Sequence, residues 1–337
     1  MLSARVIVGI CAFWAAQSTL AQPSSSTLSG VITGPTGAPF ADVPIRAVNE
    51  ATGTDARTFS SESGRYEIQG LPAGTYAVSI RPPCCSFVPY SNDNVVLAAG
   101  AEHDLNVQIE ETLIALGDDP GIIAAEMRNR RVIPDLPVPR TLEGHPDLSG
   151  VWLIGSDPFP EQTEALPWAE AIAQERNAND GRDHPHTRCL PAGLPVGGGA
   201  TPFIGKFIHK PELLVILFED VPGFRQVFLD GRDHPASLNP SWYGYSIGHW
   251  EGDTLVVDTI GFNDRGWTGR YPRSEMMRVE ERYTRTEYGR MEVRVIFDDP
   301  EVFTKPRIRN LPFDLAPQEE LIEYVCENNK WARDVEE

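Results

Sequence analysis

The sequence predicts an all-β protein in two folded parts. Short β-rich runs recur about every ten residues between 27 and 110, and a second series of strand signals occupies residues 147–330. Prolines interrupt the intervening residues, 111–146, as is typical of an extended linker. A chain of 337 residues is long enough for about two domains, and 41% of its residues are hydrophobic, which is enough for a buried core.

The N-terminal residues 1–21 predict a secretory signal peptide. Arg5 gives a positive charge ahead of an apolar run over residues 6–16, and Ala21 ends a small-residue cleavage site. The alternative is a membrane anchor, but this run is shorter than the ~20 residues that span a bilayer. We therefore expect an exported bacterial protein, periplasmic or secreted. No later run of the sequence is long and apolar enough to span a membrane.

The chain is strongly acidic. Its 29 lysines and arginines stand against 48 aspartates and glutamates, which gives a formal net charge of −19. Nucleic acids and anionic membrane surfaces require a basic footprint, so the sequence predicts neither as a partner. The expected partner is a small organic molecule or a saccharide, and the sequence does not indicate an oligomeric state.

Export would place the remaining cysteines in an oxidising compartment, where disulfides are the default. Cys84 and Cys85 are adjacent, so they either bridge each other or take separate partners. We favour a bridge between Cys189 and Cys326, which would tie the end of the chain to the body of the second part. Other pairings remain open at this point.

Two stretches of the first part, SGVITGPTGAPFADVPIRAVNEATG and SSESGRYEIQGLPAGTYAVSI, carry a specific pattern. They resemble the carboxypeptidase regulatory-like domain, a prealbumin-like β-sandwich, over nearly all of residues 27–110. The resemblance implies an antiparallel sandwich that is usually a non-catalytic accessory, in a fold class grouped with carbohydrate-binding sandwiches. The residues on the family's pattern are Gly30, Gly37, Pro39, Val43, Gly64, Tyr66, Leu71, Gly74 and Tyr76.

The second part predicts a closed or nearly closed antiparallel β-barrel with one short helix. A further short helix is predicted in the linker, at 120–131. Within the second part, a helical pattern covers residues 164–179, and the strand signals that follow end with LIEYVCE at 321–327. The opening strand, with Gly150 and Trp152, is similar to that of lipocalin-like barrels.

Longer stretches of the second part, including FLDGRDHP and PSWYGYSIGHWEGDTLVVDTIGFND, also form a recurring pattern. They resemble a broad group of exported bacterial proteins that share DGRxHP and GxWEGDTLVVDT motifs. This resemblance implies no mechanism, so the candidate site residues have to be judged from their own chemistry.

The hexapeptide DGRDHP occurs at 180–185 and again at 230–235, but the flanking sequences do not align. In the second copy, Asp230, Arg232 and His234 leave a strand end together, where loop residues often carry function. His234 is a candidate general acid or base, because imidazole titrates near neutral pH. Arg232 is suited to clamp an anionic oxygen, with Asp230 beside it. The alternative is that Asp230 and Arg232 pair with the next hairpin and that His234 only caps it.

A hairpin over 243–258 contributes the other candidates. Tyr243 and His249 are polar groups on its first strand, and Trp250 is an expected ligand contact. Asp258 lies inside the apolar run LVVDTIG, so its carboxylate either pairs in the core, with Arg225 or Arg282, or belongs to a proton-transfer site. Arg225 is also an expected ligand contact.

No metal or cofactor is expected. His184 and His186 flank a proline near Asp183, without the helical spacing of strong zinc motifs. The sequence also lacks the fingerprint of a phosphate-binding loop, a dinucleotide site or a nucleophile elbow.

We therefore expect an exported enzyme that applies acid/base chemistry to a small organic ligand in a barrel pocket, as a lyase, isomerase or hydrolase. The alternative is a non-catalytic envelope protein that binds a saccharide or another small ligand. A third hypothesis is that the protein is an interaction module whose sandwich docks to a larger assembly. Converging ionisable groups would favour the enzyme, exposed aromatic side chains the binding protein, and an apolar patch on the sandwich the docking module.

Overall fold

The computed structural model describes residues 25–82, 87–110, 131–179, 183–191, 193, 204–218 and 223–321. The expected signal peptide, the pair Cys84 and Cys85, and Cys326 lie outside these residues. So do nearly all of the predicted linker helix at 120–131 and of the predicted strand at 321–327. In the described part of the chain, no helix is long and apolar enough to cross a membrane.

The first part is a sandwich of two four-stranded sheets. Its strands are β1 (Ser26–Thr33), β2 (Pro44–Asn49), β3 (Asp55–Phe59), β4 (Arg65–Leu71), β5 (Gly74–Ile80), β6 (Tyr90–Leu97), β7 (Glu102–Asp104) and β8 (Val107–Gln108). One sheet has the order β4-β1-β7 with β8 also beside β1, and the other has the order β3-β2-β5-β6. The expected β-sandwich is confirmed.

Alternation along the strands builds the sandwich core. In β1, every second residue from Ser26 to Ile32 is buried, and β5 buries Tyr76, Val78 and Ile80 in the same way. This period of two places one face of each sheet against the other. β3 was not predicted, because its sequence DARTF is mostly polar and none of its residues is fully buried.

Two glycines of the family pattern have a steric reason. A Cβ atom on Gly30 would lie 2.1 Å from the carbonyl oxygen of Leu105, because β1 packs closely against the connection between β7 and β8. Gly64 has a φ of 72°, and a Cβ there would lie 2.3 Å from the oxygen of Ile32. A larger residue at either position requires the backbone to move.

The second part contains a closed nine-stranded barrel in the order β10-β11-β12-β13-β14-β17-β18-β19-β9. Its strands are β9 (Gly150–Ile154), β10 (Ile204–Lys210), β11 (Leu213–Phe218), β12 (Gly223–Phe228), β13 (Tyr245–Glu251), β14 (Thr254–Ile260), β17 (Arg278–Glu287), β18 (Arg290–Asp298) and β19 (Arg307–Leu315). The predicted barrel is confirmed.

The remaining elements lie outside the barrel wall. They are α1 (Pro167–Ala178), a 3-10 helix (Pro185–Arg188) and a two-stranded hairpin of β15 (Trp267–Thr268) and β16 (Tyr271–Pro272). The helix confirms the pattern read at 164–179. It packs on β16, and Tyr271 donates a hydrogen bond from its hydroxyl to Glu170, 3.0 Å away.

The barrel differs from the prediction in one pair of strands. β12 and β13 run parallel, with Val227 beside Ser246 and Phe228 beside Ile247, whereas every other pair in the wall is antiparallel. A hairpin cannot join parallel strands. The connection over 229–244, which carries the second DGRDHP, instead crosses the outer face of β13 and β14.

The wall closes through β19, a strand that was not predicted. Its alternate residues Leu311, Phe313 and Leu315 join the barrel core, but the same face begins with Arg307 and Arg309. The two arginines, and Pro312 between the apolar residues, mask the strand pattern in the sequence.

Candidate functional site

His234 and Asp258 come together on the outer face of the barrel. Nε2 of His234 lies 2.8 Å from Oδ2 of Asp258, although His234 belongs to the 229–244 connection and Asp258 to β14. Asp258 faces outward because its neighbours in the strand, Val257 and Thr259, face the barrel interior. Both polar side chains are largely covered, with His234 17% and Asp258 19% exposed.

The carboxylate of Asp258 is also held by Arg278 at the start of β17. Nε and Nη2 of Arg278 donate to its two oxygens at 2.6 and 2.9 Å, the side-on fork that suits a carboxylate. Arg278 is itself well exposed. The expected partners Arg225 and Arg282 were wrong. Asp258 lies opposite Glu280 in the register, so Arg278 and Arg282 are its two diagonal neighbours, one on each side. Arg278 holds Asp258, whereas Arg282 pairs with Glu251.

Arg232 and Asp230 form a pair beside this contact. Nε of Arg232 donates to both oxygens of Asp230, at 2.8 and 2.9 Å, and its guanidinium lies 4.0 Å from the ring centre of Phe228. The pair lowers the pKa of Asp230, chiefly through hydrogen bonds from Arg232, and raises that of Arg232. Arg232 therefore has its own carboxylate partner.

Tyr245 links the two pairs. Its hydroxyl oxygen accepts a hydrogen bond from Nη1 of Arg232 at 3.3 Å, and its ring centre lies 6.0 Å from that of His234. We call His234, Asp258, Arg278, Arg232 and Tyr245 the outer-face cluster. The sequence identified three of its members but missed Arg278 and Tyr245, which depend on strand register.

One ring nitrogen of His234 has no hydrogen-bond partner. Nδ1 is buried, and no described residue donates to it or accepts from it. A buried polar atom without a partner costs free energy, so such atoms are uncommon and mark places where a water or a ligand can complete the bonding. This atom is the feature of the outer-face cluster that the rest of the protein does not explain.

Arg225 lies in the barrel interior, in a second polar cluster. Its guanidinium pairs with Glu281 and donates to Ser246 at 3.0 Å and to Thr259 at 2.8 Å, and all four side chains are at least 98% buried. Tyr283 donates from its hydroxyl to Glu281 at 2.9 Å. Burial lowers the pKa of Arg225, but Glu281 and Tyr283 outweigh it and the net shift is upward.

Three other candidates are not part of the outer-face cluster. His249 is exposed and its described contact is with Glu251, 3.4 Å away. Tyr243 stacks on Phe218, with ring centres 5.5 Å apart. Trp250 stacks on His145 at 4.5 Å and packs against the barrel core.

The expected pocket inside the barrel is not where the candidate acid and base lie. Inside the barrel, apolar side chains of the described residues pack around the Arg225 cluster. Asp258 points away from this interior. The outward direction of Asp258 follows from its position in β14, because residues of one strand alternate between the two faces. The residues that fill the interior include Trp152, Phe207, Leu255, Val257, Val293, Phe297 and Phe313.

The first DGRDHP copy has a different setting. Residues 180–182 lie outside the described residues, and the His184 ring meets Trp267 edge-on at 4.9 Å. No group of three His, Cys, Asp or Glu side chains that could hold a metal ion occurs in the described ranges. Because Cys326 is not among them, its bridge to Cys189 stays a prediction.

The sandwich carries a groove of about 570 Å³. Its floor is the outer face of the sheet β4-β1-β7, and Phe59 of the other sheet forms part of its wall. Phe59 is 47% exposed, and Asn106 is fixed by hydrogen bonds with the amide nitrogen of Val31 and the carboxylate of Asp104, both 2.8 Å long. Arg65, Tyr66 and Glu67 also contribute to the groove.

One known family matches the sandwich. Residues 27–110 match the carboxypeptidase regulatory-like domain. That resemblance, read from the sequence, is confirmed. The match covers the N-terminal part only. No curated protein matches the chain.

Solved structures give distant likenesses. A minor pilin of Streptococcus agalactiae is 13% identical over 29% of this chain and 49% of its own, with a TM-score of 0.24. A 3-chlorocatechol 1,2-dioxygenase of Rhodococcus opacus is 11% identical over 27% and 62%, with a TM-score of 0.22. A candidate carbohydrate-binding protein of Bacteroides uniformis is 10% identical over 87% and 100%, also at 0.22. The chain spans about half of the pilin, and likenesses this low carry no argument about function.

The carboxypeptidase regulatory-like domain touches the second part through its groove wall. Phe59 meets Phe159 edge-on, with ring centres 5.2 Å apart, and the guanidinium of Arg57 lies 5.2 Å from the same ring. The groove is therefore bordered by the segment that follows the first barrel strand.

Proposed function

We propose that this chain is an exported enzyme that performs acid/base chemistry on a small organic ligand at the outer-face cluster. One observation carries the proposal. Nε2 of His234 lies 2.8 Å from Oδ2 of Asp258. His234 was predicted from its loop motif and Asp258 from its charge within an apolar strand, so the two predictions were independent. A carboxylate that holds one nitrogen of an imidazole is a common arrangement in proton-transfer sites.

The roles follow from the contacts. Asp258 orients the ring through Nε2 and stabilises the imidazolium form, and Arg278 holds Asp258 in place. In a lyase or an isomerase, Nδ1 of His234 takes a proton from the ligand and returns it to another ligand atom. In a hydrolase, it takes the proton from the attacking water and gives it to the leaving group. Arg232 and Tyr245 offer polar atoms beside it. Because Nδ1 is buried, ligand entry requires the 229–244 connection to shift.

Export is the second element of this proposal. The signal-like sequence at 1–21 supports it, and the acidic composition disfavours anionic partners such as nucleic acid. The reaction would then take place in the periplasm or outside the cell, on a ligand that is present there.

A survey without a chosen substrate tests the proposal. Wild-type protein is incubated in D₂O with a metabolite extract of bacterial cells, and each compound is followed by mass spectrometry for loss or deuterium uptake. We expect at least one compound to change, and His234→Gln to slow that change by about 100-fold. His249→Gln is the matched control, since it removes an exposed histidine, and it should behave as the wild type. No change with the wild type, or equal change with His234→Gln, contradicts the proposal.

The groove of the sandwich favours saccharide binding as a second candidate function. It combines a half-exposed ring, Phe59, with fixed amide and carboxylate groups, the pairing that holds sugar rings and their hydroxyls. An array of neutral and acidic oligosaccharides tests it with the full chain. Phe59→Ala should lose a signal that Phe224→Ala, which removes an exposed phenylalanine of the barrel, retains. The absence of any signal with the wild type contradicts this candidate.

A further inference from the structure

Two arginines at the start of β19 lie on its inward face, at one end of the barrel. Arg307 and Arg309 share the strand face of Leu311, Phe313 and Leu315, and the register places Arg307 opposite Phe297 of the core. Arg309 is 9% exposed, and Arg307 is partly exposed. The guanidinium groups therefore lie where the apolar interior meets the segments that cover this end.

The partners of both guanidinium groups are neutral. Nη1 of Arg307 donates to the carbonyl of Thr268 at 3.0 Å. Arg309 donates to the carbonyls of Ile308 and Glu161, at 2.7 and 3.3 Å, and to the hydroxyl of Thr163 at 3.2 Å. In the described ranges of the chain, no carboxylate forms an ion pair with either arginine.

The acidic group that acts on both arginines, Asp157, makes its hydrogen bonds elsewhere. The carboxylate of Asp157 accepts hydrogen bonds from the backbone nitrogens of Phe159 and Asn310, both at 2.9 Å. Burial and, next to it, the charge of Arg309 together lower the pKa of Arg307 to about 9, and Tyr271 and Asp157 oppose this shift only in part. Two like charges thus share a poorly hydrated place without a counter-charge, which is unfavourable.

Arg307 presents the edge that binds oxyanions. Among the described residues, none accepts a hydrogen bond from its buried Nε or from its Nη2. Nε and Nη2 point the same way and form the side-on fork that fits a carboxylate or phosphate. Elsewhere in this protein the same edge is occupied, as where Arg278 holds Asp258 and Arg46 holds Asp55.

We propose that Arg307 and Arg309 form an anion-binding site at this end of the barrel. The site takes the carboxylate or phosphate group of a small ligand, which supplies the counter-charge and satisfies Nε of Arg307. It is independent of the outer-face cluster, because Arg307 and Arg309 occupy the inward face of β19 whereas Asp258 occupies the outward face of β14. In a chain with a net charge of −19, such a pair is a selective place for an anion.

Calorimetry on the full chain tests this site with two probes, sodium phosphate and sodium acetate, each compared with sodium chloride at equal ionic strength. We expect one probe or both to bind, and Arg307→Gln to weaken binding by at least about tenfold. Arg294→Gln is the matched control, since Arg294 is exposed on the outer face of the neighbouring β18, and it should bind as the wild type. The probe that binds more tightly shows whether the site prefers a phosphate or a carboxylate group.

Two further variants keep the test decisive if Arg307→Gln does not fold. Arg307→Lys retains the charge but loses the fork, and Arg309→Gln removes the second charge, so both should weaken binding. If neither probe binds more tightly than chloride, or if Arg307→Lys and Arg309→Gln bind the probe as tightly as the wild type, the conclusion is an adventitious ion only. Either of these results overturns the proposal.

Discussion

Nε2 of His234 and Oδ2 of Asp258 are 2.8 Å apart, across 24 residues of sequence. An ionised carboxylate only accepts hydrogen bonds, so Nε2 must carry the proton of this contact. The neutral ring then has a bare Nδ1, which is the buried nitrogen that has no hydrogen-bond partner among the described residues. The contact therefore fixes both the orientation of the ring and the atom that remains for a ligand.

Asp258→Asn separates a role in catalysis from a role in folding. The amide keeps the size of the side chain but cannot stabilise an imidazolium, so turnover of a compound found in the extract survey should fall by about 10- to 100-fold. Stability should fall by only about 1 kcal/mol, because Arg278 is well exposed and water screens the pair. Thermal melts and turnover are measured side by side.

Asp253→Asn is the matched control for that variant. Asp253 also accepts two hydrogen bonds from one guanidinium, donated by Nη1 and Nη2 of Arg140, but on an exposed hairpin. It should change neither turnover nor the melting temperature appreciably. If Asp258→Asn melts far lower while its folded fraction turns over normally, Asp258 is a structural partner and the catalytic role is refuted.

The buried cluster around Arg225 should dominate the stability of the barrel. Arg225→Met leaves the carboxylate of Glu281 buried without its counter-charge, at a cost of about 3–5 kcal/mol. The double variant Arg225→Met, Glu281→Leu removes both charges and should recover much of this loss. Urea unfolding measures the three proteins. A single variant as stable as the wild type would contradict the buried pairing.

The sequence predicted those elements whose hydrophobic pattern can be seen within the element itself. The alternation in β1 and β5 and the turn glycine Gly64 predicted the sandwich, because burial of one face demands a period of two. β3 and β19 were missed for the opposite reason. Each carries charged residues on positions that the tertiary structure covers or pairs, and no local pattern shows this.

Three of the five residues of the outer-face cluster were predicted from the sequence, but their place outside the barrel was not. His234 was chosen because a histidine follows a strand in a turn motif, and Asp258 because a carboxylate is costly within an apolar strand. Their contact depends on the parallel pairing of β12 and β13, which sends the connection across the outer face. Strand pairing is a long-range property, so one sequence could not give it, nor the diagonal position of Arg278.

His209 should make the stability of the protein depend on pH. Its side chain is 3% exposed, and burial lowers its pKa below the usual 6.5, against the opposing charge of Asp147 and with a small further decrease from His145. The unfolded chain then binds more protons as the pH falls below 6.5, so stability is lost as pH decreases through that value towards the lower folded pKa.

Unfolding by urea at several pH values between about 7.5 and 5 checks this dependence. His209→Gln should flatten the pH profile, whereas His249→Gln, at an exposed position, should leave it unchanged. Identical profiles for the wild type and His209→Gln would show that His209 is not the titrating group.

The predicted bridge between Cys189 and Cys326 should stabilise the second part. On the chain-entropy description, a bridge that closes so long a loop contributes roughly 3–5 kcal/mol. Peptide mapping under non-reducing conditions should find the two cysteines in one linked fragment. Recovery of both as free thiols from oxidised protein would refute the pairing.

The most direct test of the central claim is the protonation of the His234 ring. Long-range ¹H–¹⁵N spectra of histidine-labelled protein report which nitrogen carries the proton, and His234→Gln assigns the signals. Our account predicts the neutral ring to be protonated at Nε2 with a bare Nδ1, and predicts that Asp258→Asn disturbs this preference. A neutral ring protonated at Nδ1 in the wild type would contradict the account, because Nε2 could not then donate to Asp258 and Nδ1 could not accept a proton from a ligand.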